Sequence, residues 1–357
     1  MRLSGEGRLE GRFLRLCGEE GGMRIPLRKN GGERRRFRDG SRLFLWARNG
    51  ELDIALVSQD CSRCARRASR LRPVRRGKPF ESQVMIVADV HNHTNASHGK
   101  ASVAEMYASA KARGLSVYGF SEHSPRPEAY SYPVEYREHL RDCFVRYASE
   151  VMQLRALSGS PKVLFGMELD WFPSERPFME AAIAAYPFDY IIGGIHFLGS
   201  WGFDFTQDDW KISPQQCFTR YENYFRTLAD MARSGLVDVA AHPDIIKLYT
   251  VDLFHQWIAM PESLTLVAEA LTAIRDNGVA MEISSAGLRK PCNEIYPHPA
   301  IMKLAADLGV KISFGSDAHC TNTPAYAFDQ LEAYARSYGY TSSVIFENRK
   351  PREIAFE

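Results

Sequence analysis

Short apolar runs that end, one after another, in a histidine or a carboxylate are what most limits the folds open to this chain. Residues 84–88 stop at Asp89-Val90-His91-Asn92-His93, residues 115–120 at Ser121-Glu122-His123, and residues 162–167 at Glu168-Leu169-Asp170. Residues 190–195 stop at His196, 237–241 at His242-Pro243-Asp244, and 310–314 at Gly315-Ser316-Asp317-Ala318-His319, while 279–283 lead into Ser284 and Ser285. Between the runs lie longer stretches with the apolar rhythm of amphipathic helices, at about 134–157, 176–185, 214–234, 264–277, 298–308 and 326–338. The first helix announces its start with the capping-box pattern Ser102-Val103-Ala104-Glu105 and its end with Gly114. Seven strand–helix cycles without internal repeats predict an α/β fold in which a parallel sheet closes into a distorted barrel. Active sites of such barrels lie at the C-terminal strand ends, where these polar residues fall.

The residues at or just beyond those ends are His91, His93, His98, His123, Glu168, His196, His242, Asp317 and His319. They include seven of the chain's ten histidines; His139, His255 and His298 lie in helices or loops and read as surface or packing residues. Side chains two apart on an extended chain share a face, so His91 and His93 can converge. Imidazoles collected at one place would repel one another if protonated, whereas metal ions use the neutral form. Carboxylates add negative charge and can bridge ions. Nine ligands exceed the needs of one ion. Two or three divalent cations are implied, and mostly imidazole ligands favour Zn, Mn or Fe.

Charge separates the chain into two kinds of polypeptide. Residues 1–83 carry 21 Lys and Arg against 10 Asp and Glu, a net of +11, and the remainder a net of −9. The basic part holds Arg34-Arg35-Arg36, Arg75-Arg76 and the short apolar pieces 43–46 and 54–57. It reads as an N-terminal extension of little order, with residue 84 opening the folded domain that runs to 357. Met85 is an alternative start. Cys61 and Cys64 have no second pair nearby to complete a zinc site, and the seven cysteines are scattered, which suits free thiols in a reducing cytoplasm. No apolar run reaches membrane-spanning length, and no secretory signal is read at the N-terminus.

The motifs also resemble a known family. Asp89-Val90-His91-Asn92-His93 with His98, Gly119-Phe120-Ser121-Glu122-His123-Ser124-Pro125, Gly166-Met167-Glu168-Leu169-Asp170 and Asp189-Tyr190-Ile191-Ile192-Gly193-Gly194-Ile195-His196 are similar to those of the polymerase-and-histidinol-phosphatase (PHP) superfamily. So are Ala241-His242-Pro243-Asp244, the run from Ser284 to Lys290, and Gly315-Ser316-Asp317-Ala318-His319, and together they point to the histidinol-phosphatase branch. The resemblance covers about residues 84–350 and implies a distorted, TIM-like seven-stranded barrel. It implies one metal held by His91, His93, Glu168 and Asp317, a second by His98, His123 and His319, and a third by His196 and His242, with Glu168 bridging. The activity implied is hydrolysis of L-histidinol phosphate, a small phosphorylated substrate, to L-histidinol and phosphate by attack of a metal-bound hydroxide.

Glu168, Asp317 and Arg289 are the catalytic candidates. Arg289 is the first choice for clamping phosphate, since guanidinium binds it bidentately, and Lys247 the second. Glu122, Asp170 or Asp244 could attract the substrate's cationic nitrogens from the rim, and Tyr132, Trp201 and Phe203 could frame it. The competing enzymatic reading is a phosphodiesterase of nucleotides or nucleic acid. The basic extension favours it, and the acidic charge of the barrel disfavours a polyanionic partner. A metal-stabilised module without catalysis is the third reading, at odds with nine filled ligand positions.

Overall fold

The structure, a computed structural model, describes residues 87–130 and 134–356 together with five short strands upstream of them. The chain divides into two compact units, Met1–Glu81 and Ser82–Glu357. In the first, β1 (Phe13–Leu16) pairs antiparallel with β2 (Met23–Pro26), and β3 (Glu33–Arg36), β4 (Arg42–Arg48) and β5 (Glu51–Val57) form a three-stranded meander. The apolar pieces 43–46 and 54–57 fall in β4 and β5. The rest of the extension, Cys61 and Cys64, the alternative start at Met85 and Tyr132 lie outside the described residues.

Seven parallel strands make the second unit: β6 (Ala88–Asp89), β7 (Val117–His123), β8 (Lys162–Asp170), β9 (Tyr190–Gly194), β12 (Val239–Ala240), β13 (Ala280–Ser284) and β14 (Ile312–Gly315). Between β9 and β12 a small antiparallel pair, β10 (Phe197–Leu198) and β11 (Trp201–Gly202), stands outside the sheet. Each barrel strand pairs with the next in sequence, and the two ends of the ladder, β14 and β6, meet in a seam. Only a few bonds cross it, including Val90 N to Phe314 O at 3.1 Å, His93 N to Ala318 O at 2.8 Å and Ser316 Oγ to Asp89 Oδ2 at 2.7 Å.

The helices are α1 (Val103–Ala112), α2 (Val134–Arg155), α3 (Arg176–Ala184), α4 (Pro214–Arg233), α5 (Val251–Ile258), α6 (Pro261–Asp276), α7 (Pro299–Leu308) and α8 (Phe328–Ser337). The expected capping box is present: Ser102 accepts from Glu105 N while the Glu105 carboxylate accepts from Ser102 N, and Gly114 follows in the left-handed region. The sequence reading missed α5, a two-turn helix with buried Phe254, Trp257 and Ile258. No single helix among the described residues is long and apolar enough to cross a membrane.

Strand alternation sorts the core into two layers. Phe120, Phe165, Met167, Ile191 and Met281 face the helices, while Val117, Leu164, Tyr190, Ile192, Val239 and Ala280 pack together inside the barrel. Tyr190 fills the middle, its hydroxyl donating to Val90 O at 2.7 Å; a Cβ at Gly119 or Gly166 would collide with its ring. The hairpin of β15 (Ser342–Glu347) and β16 (Lys350–Ala355) adds Val344, Ile345 and Phe346 to the interior cluster. Its turn bonds to residues preceding β9 and β12: Arg349 N donates to Asp189 O at 2.7 Å, and the Arg349 guanidinium pairs with Asp238. The opposite end of the barrel is left for the site.

Candidate metal centre

All nine sequence-predicted residues come together at the C-terminal strand ends. Glu168, third from the end of β8, stands at the centre and its two oxygens sort the histidines. Oε2 lies 3.0 Å from His123 Nδ1, 3.3 Å from His93 Nε2 and 3.4 Å from His91 Nε2. Oε1 lies 3.2 Å from His242 Nε2 and 3.5 Å from His196 Nε2. Asp317 Oδ1 approaches His93 Nε2 at 3.2 Å and His319 Nδ1 at 3.5 Å. His319 stacks on His93 with ring centres 4.4 Å apart. His98 sits at the outer edge, 4.3 Å from the His319 ring, with its Nδ1 3.0 Å from the Tyr136 hydroxyl. Asp317 holds a left-handed backbone (φ 51°), a conformation Asp tolerates and one that gathers at functional sites.

Three buried carboxylates stand behind the histidines. His91 Nδ1 donates to Glu282 at 2.7 Å, His93 Nδ1 to Glu122 at 3.1 Å, and His196 Nδ1 to Asp170 at 2.5 Å. Each bond fixes the tautomer with its proton on Nδ1 and turns the Nε2 lone pair inward, toward the oxygens of Glu168. Lone pairs facing carboxylate oxygens at these distances repel unless a cation or proton stands between them. His91 Nε2, His93 Nε2, His123 Nδ1, His242 Nδ1 and His319 Nε2 are buried with no hydrogen-bond partner. The donor set therefore fits divalent cations, and four groups of three ligand atoms lie close enough to hold one: His93, His123 and His319; His91, His93 and Asp317; His91, Glu168 and His242; His123, Asp170 and His196.

Protonation follows the same layout. Burial opposes a charged His91, yet Glu282 and Glu168 outweigh it and push the imidazole up to about 10. Burial likewise opposes an ionised Glu168, but His123, His91 and His196 hold it well below the usual carboxylate range. At the edge, desolvation and the neighbouring His93 push His98 down to about 4, although its side chain is exposed, and the same two causes push the half-buried His319 to about 3.

Several expectations about substrate groups need correction. Glu122, Asp170 and Asp244 are no rim acids. Each is buried and engaged: Glu122 by His93, Thr94 and Ser97, Asp170 by His196 and Arg126, Asp244 by Lys247. Lys247 is fully buried, 2.9 Å from Asp244 and 3.1 Å from Glu294, and does not reach the cavity. Arg289 donates to the carbonyls of Ser316 and Asp317, so it braces the loop carrying Asp317 rather than facing the cavity. Its neighbour Lys290 takes the expected place, lining the cavity with Nζ 3.0 Å from Asp317 Oδ2. Arg126, 2.5 Å from Asp170, is a second cation there. Phe203 is buried against Tyr224, and Trp201 lies under the Arg220 guanidinium at 3.7 Å, so both serve packing. The cavity itself is about 70 Å³, lined by ten polar side chains that include Asp204.

Known proteins are similar to the chain in sequence and in fold. Over 266 residues the chain is 29% identical to a probable histidinol-phosphatase of Deinococcus radiodurans, covering 74% of this chain and 98% of that protein. It is 26% identical over 262 residues to the histidinol-phosphatase of Bacillus subtilis, covering 68% of this chain and 96% of the other. Among solved structures, histidinol phosphate phosphatase from Lactococcus lactis, complexed with zinc, L-histidinol and phosphate, has the same fold. The TM-score is 0.61 at 18% identity, over 75% of this chain and 99% of that one. The PHP domain matches residues 89–286, which span more than half of the 357 residues and contain seven of the nine clustered side chains. By that match, and by a seven-stranded barrel whose strand ends carry the cluster, the chain belongs to the PHP domain family.

Proposed function

We propose that the chain is a metal-dependent phosphatase that hydrolyses L-histidinol phosphate to L-histidinol and phosphate, using two to three divalent ions of the Zn, Mn or Fe type. The observation that carries this reading is Glu168, whose two oxygens face histidines on opposite sides, beside a cavity that also presents Lys290 and Arg126. Divalent ions in such a cluster activate water near neutral pH and neutralise phosphate oxygens. The ligand sets implied by the resemblance are supported in part: His91, His93 and Asp317 offer one group of atoms close enough to hold an ion, and His123 and His319 another, with His93 rather than His98 as its third member. His91, His93 and Asp317 lie on the Oε2 side of Glu168 and His196 and His242 on the Oε1 side, as a bridging carboxylate requires. His98, His123 and His319 close the outer edge.

The chain's own groups then do three things. Glu122, Glu282 and Asp170 hold imidazoles in the tautomer that leaves Nε2 free to bind. Lys290, its ammonium kept charged by Asp317 against burial, supplies a cation for a phosphate oxygen in place of the expected Arg289 and Lys247. Arg126, fixed by Asp170, adds positive charge on another wall of the cavity. The names of the relatives support histidinol phosphate as substrate, and the small polar cavity suits a compact phosphomonoester over a nucleic-acid strand. Free thiols at Cys143, Cys217, Cys292 and Cys320 suit a reducing cytoplasm.

The test is phosphate release by metal-loaded protein from L-histidinol phosphate, an aryl phosphate and a dinucleotide, with metal content measured on the same sample. Histidinol phosphate is expected to be turned over fastest, with more than one equivalent of metal per chain. Faster cleavage of the dinucleotide would refute the substrate, and metal at or below one equivalent would refute the cluster.

A further inference from the structure

Asp204 lines the same cavity as Glu168, Asp317 and Lys290, and no motif of the sequence singles it out. Its Oδ1 is buried and has no hydrogen-bond partner. The other carboxylates of the cavity are accounted for: Glu168 by the histidines, and Asp317 by His93 and Lys290. Asp204 belongs to none of the groups of ligand atoms that could hold a metal.

The backbone of Phe203 and Asp204 is held from three directions. Phe203 N donates to His196 O at 3.1 Å, Trp210 Nε1 donates to Phe203 O at 2.8 Å, and Tyr249 Oη donates to Asp204 O at 3.0 Å. The carboxylate is therefore presented by a fixed segment adjoining the His196 strand end. A rigid carboxylate with a dehydrated, unmatched oxygen is costly to maintain, and a cation brought by a ligand removes that cost. Beside a cluster suited to a phosphoryl group, the cation that fits is an ammonium or imidazolium on the alcohol part of the substrate.

We infer that Asp204 is a specificity-determining residue that binds the cationic nitrogen of the alcohol half of a phosphomonoester, an inference resting on the phosphatase reading above. Asp204→Asn keeps the shape and removes the charge, and Asp204→Ala removes both. With metal-loaded protein, kcat/KM for L-histidinol phosphate is expected to fall about 10- to 100-fold in Asp204→Asn, mainly through KM. For an aryl phosphate, whose aryl part carries no cation, it is expected to stay within about twofold, at unchanged metal content. An equal fall for both substrates would overturn the inference, because Asp204 would then act through the metal cluster or the fold.

Calorimetric binding of L-histidinol, without phosphate, gives a readout independent of turnover. Asp204→Asn is expected to weaken it by a similar factor while inorganic phosphate binds as before. Equal affinity of wild type and variant for L-histidinol overturns the inference. Asp204-dependent binding of L-histidinol in a wild type that hydrolyses neither phosphoester would instead overturn the phosphatase reading and leave the cation site standing.

Discussion

Replacing Glu282 by Gln tests how far the carboxylates behind the histidines control metal binding. Glu282 is fully buried in the middle of β13, where Oε1 accepts from His91 Nδ1 at 2.7 Å and Oε2 from His242 N at 2.6 Å. Gln has one oxygen for these two donors, and its amide turns a third donor on whichever is left. The backbone N–H of His242 cannot change, but the His91 imidazole can. The proton then leaves Nδ1, which accepts from the amide, and moves to Nε2. That proton points at Glu168 and Asp317, 3.4 and 3.8 Å away, where a cation would lie. Binding metal requires the costlier tautomer, and loss of such a partner typically lowers metal affinity 10- to 100-fold, about 1.4–2.7 kcal/mol. Competition against a chromophoric chelator measures this directly, with Glu294→Gln, outside the cluster, as the control. Affinity within about twofold of wild type, with an equal loss of Tm in the presence and absence of metal, would refute the tautomer argument.

Gly194→Ala places a Cβ 2.6 Å from Glu168 Oε1 and 2.7 Å from His196 Cε1, so metal content and turnover are expected to fall at least about 10-fold while the helical circular dichroism is kept; normal metal content would refute it. Lys247→Met breaks a buried ion pair and is expected to cost about 3–5 kcal/mol in denaturant unfolding, with KM little changed; a raised KM at full stability would restore Lys247 as a substrate group. Burial opposes the Lys247 ammonium, but Asp244 and Glu294 hold its pKa above the ordinary 10.5, so the folded state binds this proton more tightly than the unfolded state. Its stabilisation is whole below 10.5 and is lost as pH rises through the folded value, so the stability gap between wild type and Lys247→Met should narrow as the pH rises into alkali. A chain begun at Met85 is expected to match the full chain in turnover, since residues 1–83 differ from the rest in charge and pattern; loss of soluble, active protein would refute that.

The barrel and the gathering of polar side chains at its strand ends are legible in the sequence because both obey strict local rules. Glu168 and Asp170 are two apart at the end of a strand buried on both sides, and alternation alone puts them on one face. The same rule, applied further, would have removed Glu122 from the rim: it is adjacent to His123, so the two side chains leave the strand on opposite sides. Glu282 offered a signal that went unread, a lone carboxylate in the apolar run 279–283, where burial is costly without a partner. Lys247 follows Asp244 by three residues, a spacing at which opposite charges meet on a helical turn. Arg289 and Lys290 were not separable in advance. They end a 3-10 turn, and the turn's orientation against the Asp317 loop decides which one faces the cavity. Asp204 lies on an irregular segment with no periodicity to betray it.

The seam between β6 and β14 sets an order of events during synthesis. Asp89 and Ser316, whose side chains bond across it, are 227 residues apart, and the seam is flanked by His91 and His93 on one side and by Asp317 and His319 on the other. A nascent chain emerging from the ribosome delivers its first two histidines at the start of the domain and the last carboxylate and imidazole only near its end. Until β14 emerges, β6 keeps an unpaired edge and His91 and His93 lack Asp317 opposite them. The cluster is therefore incomplete until the last barrel strand brings its two halves together.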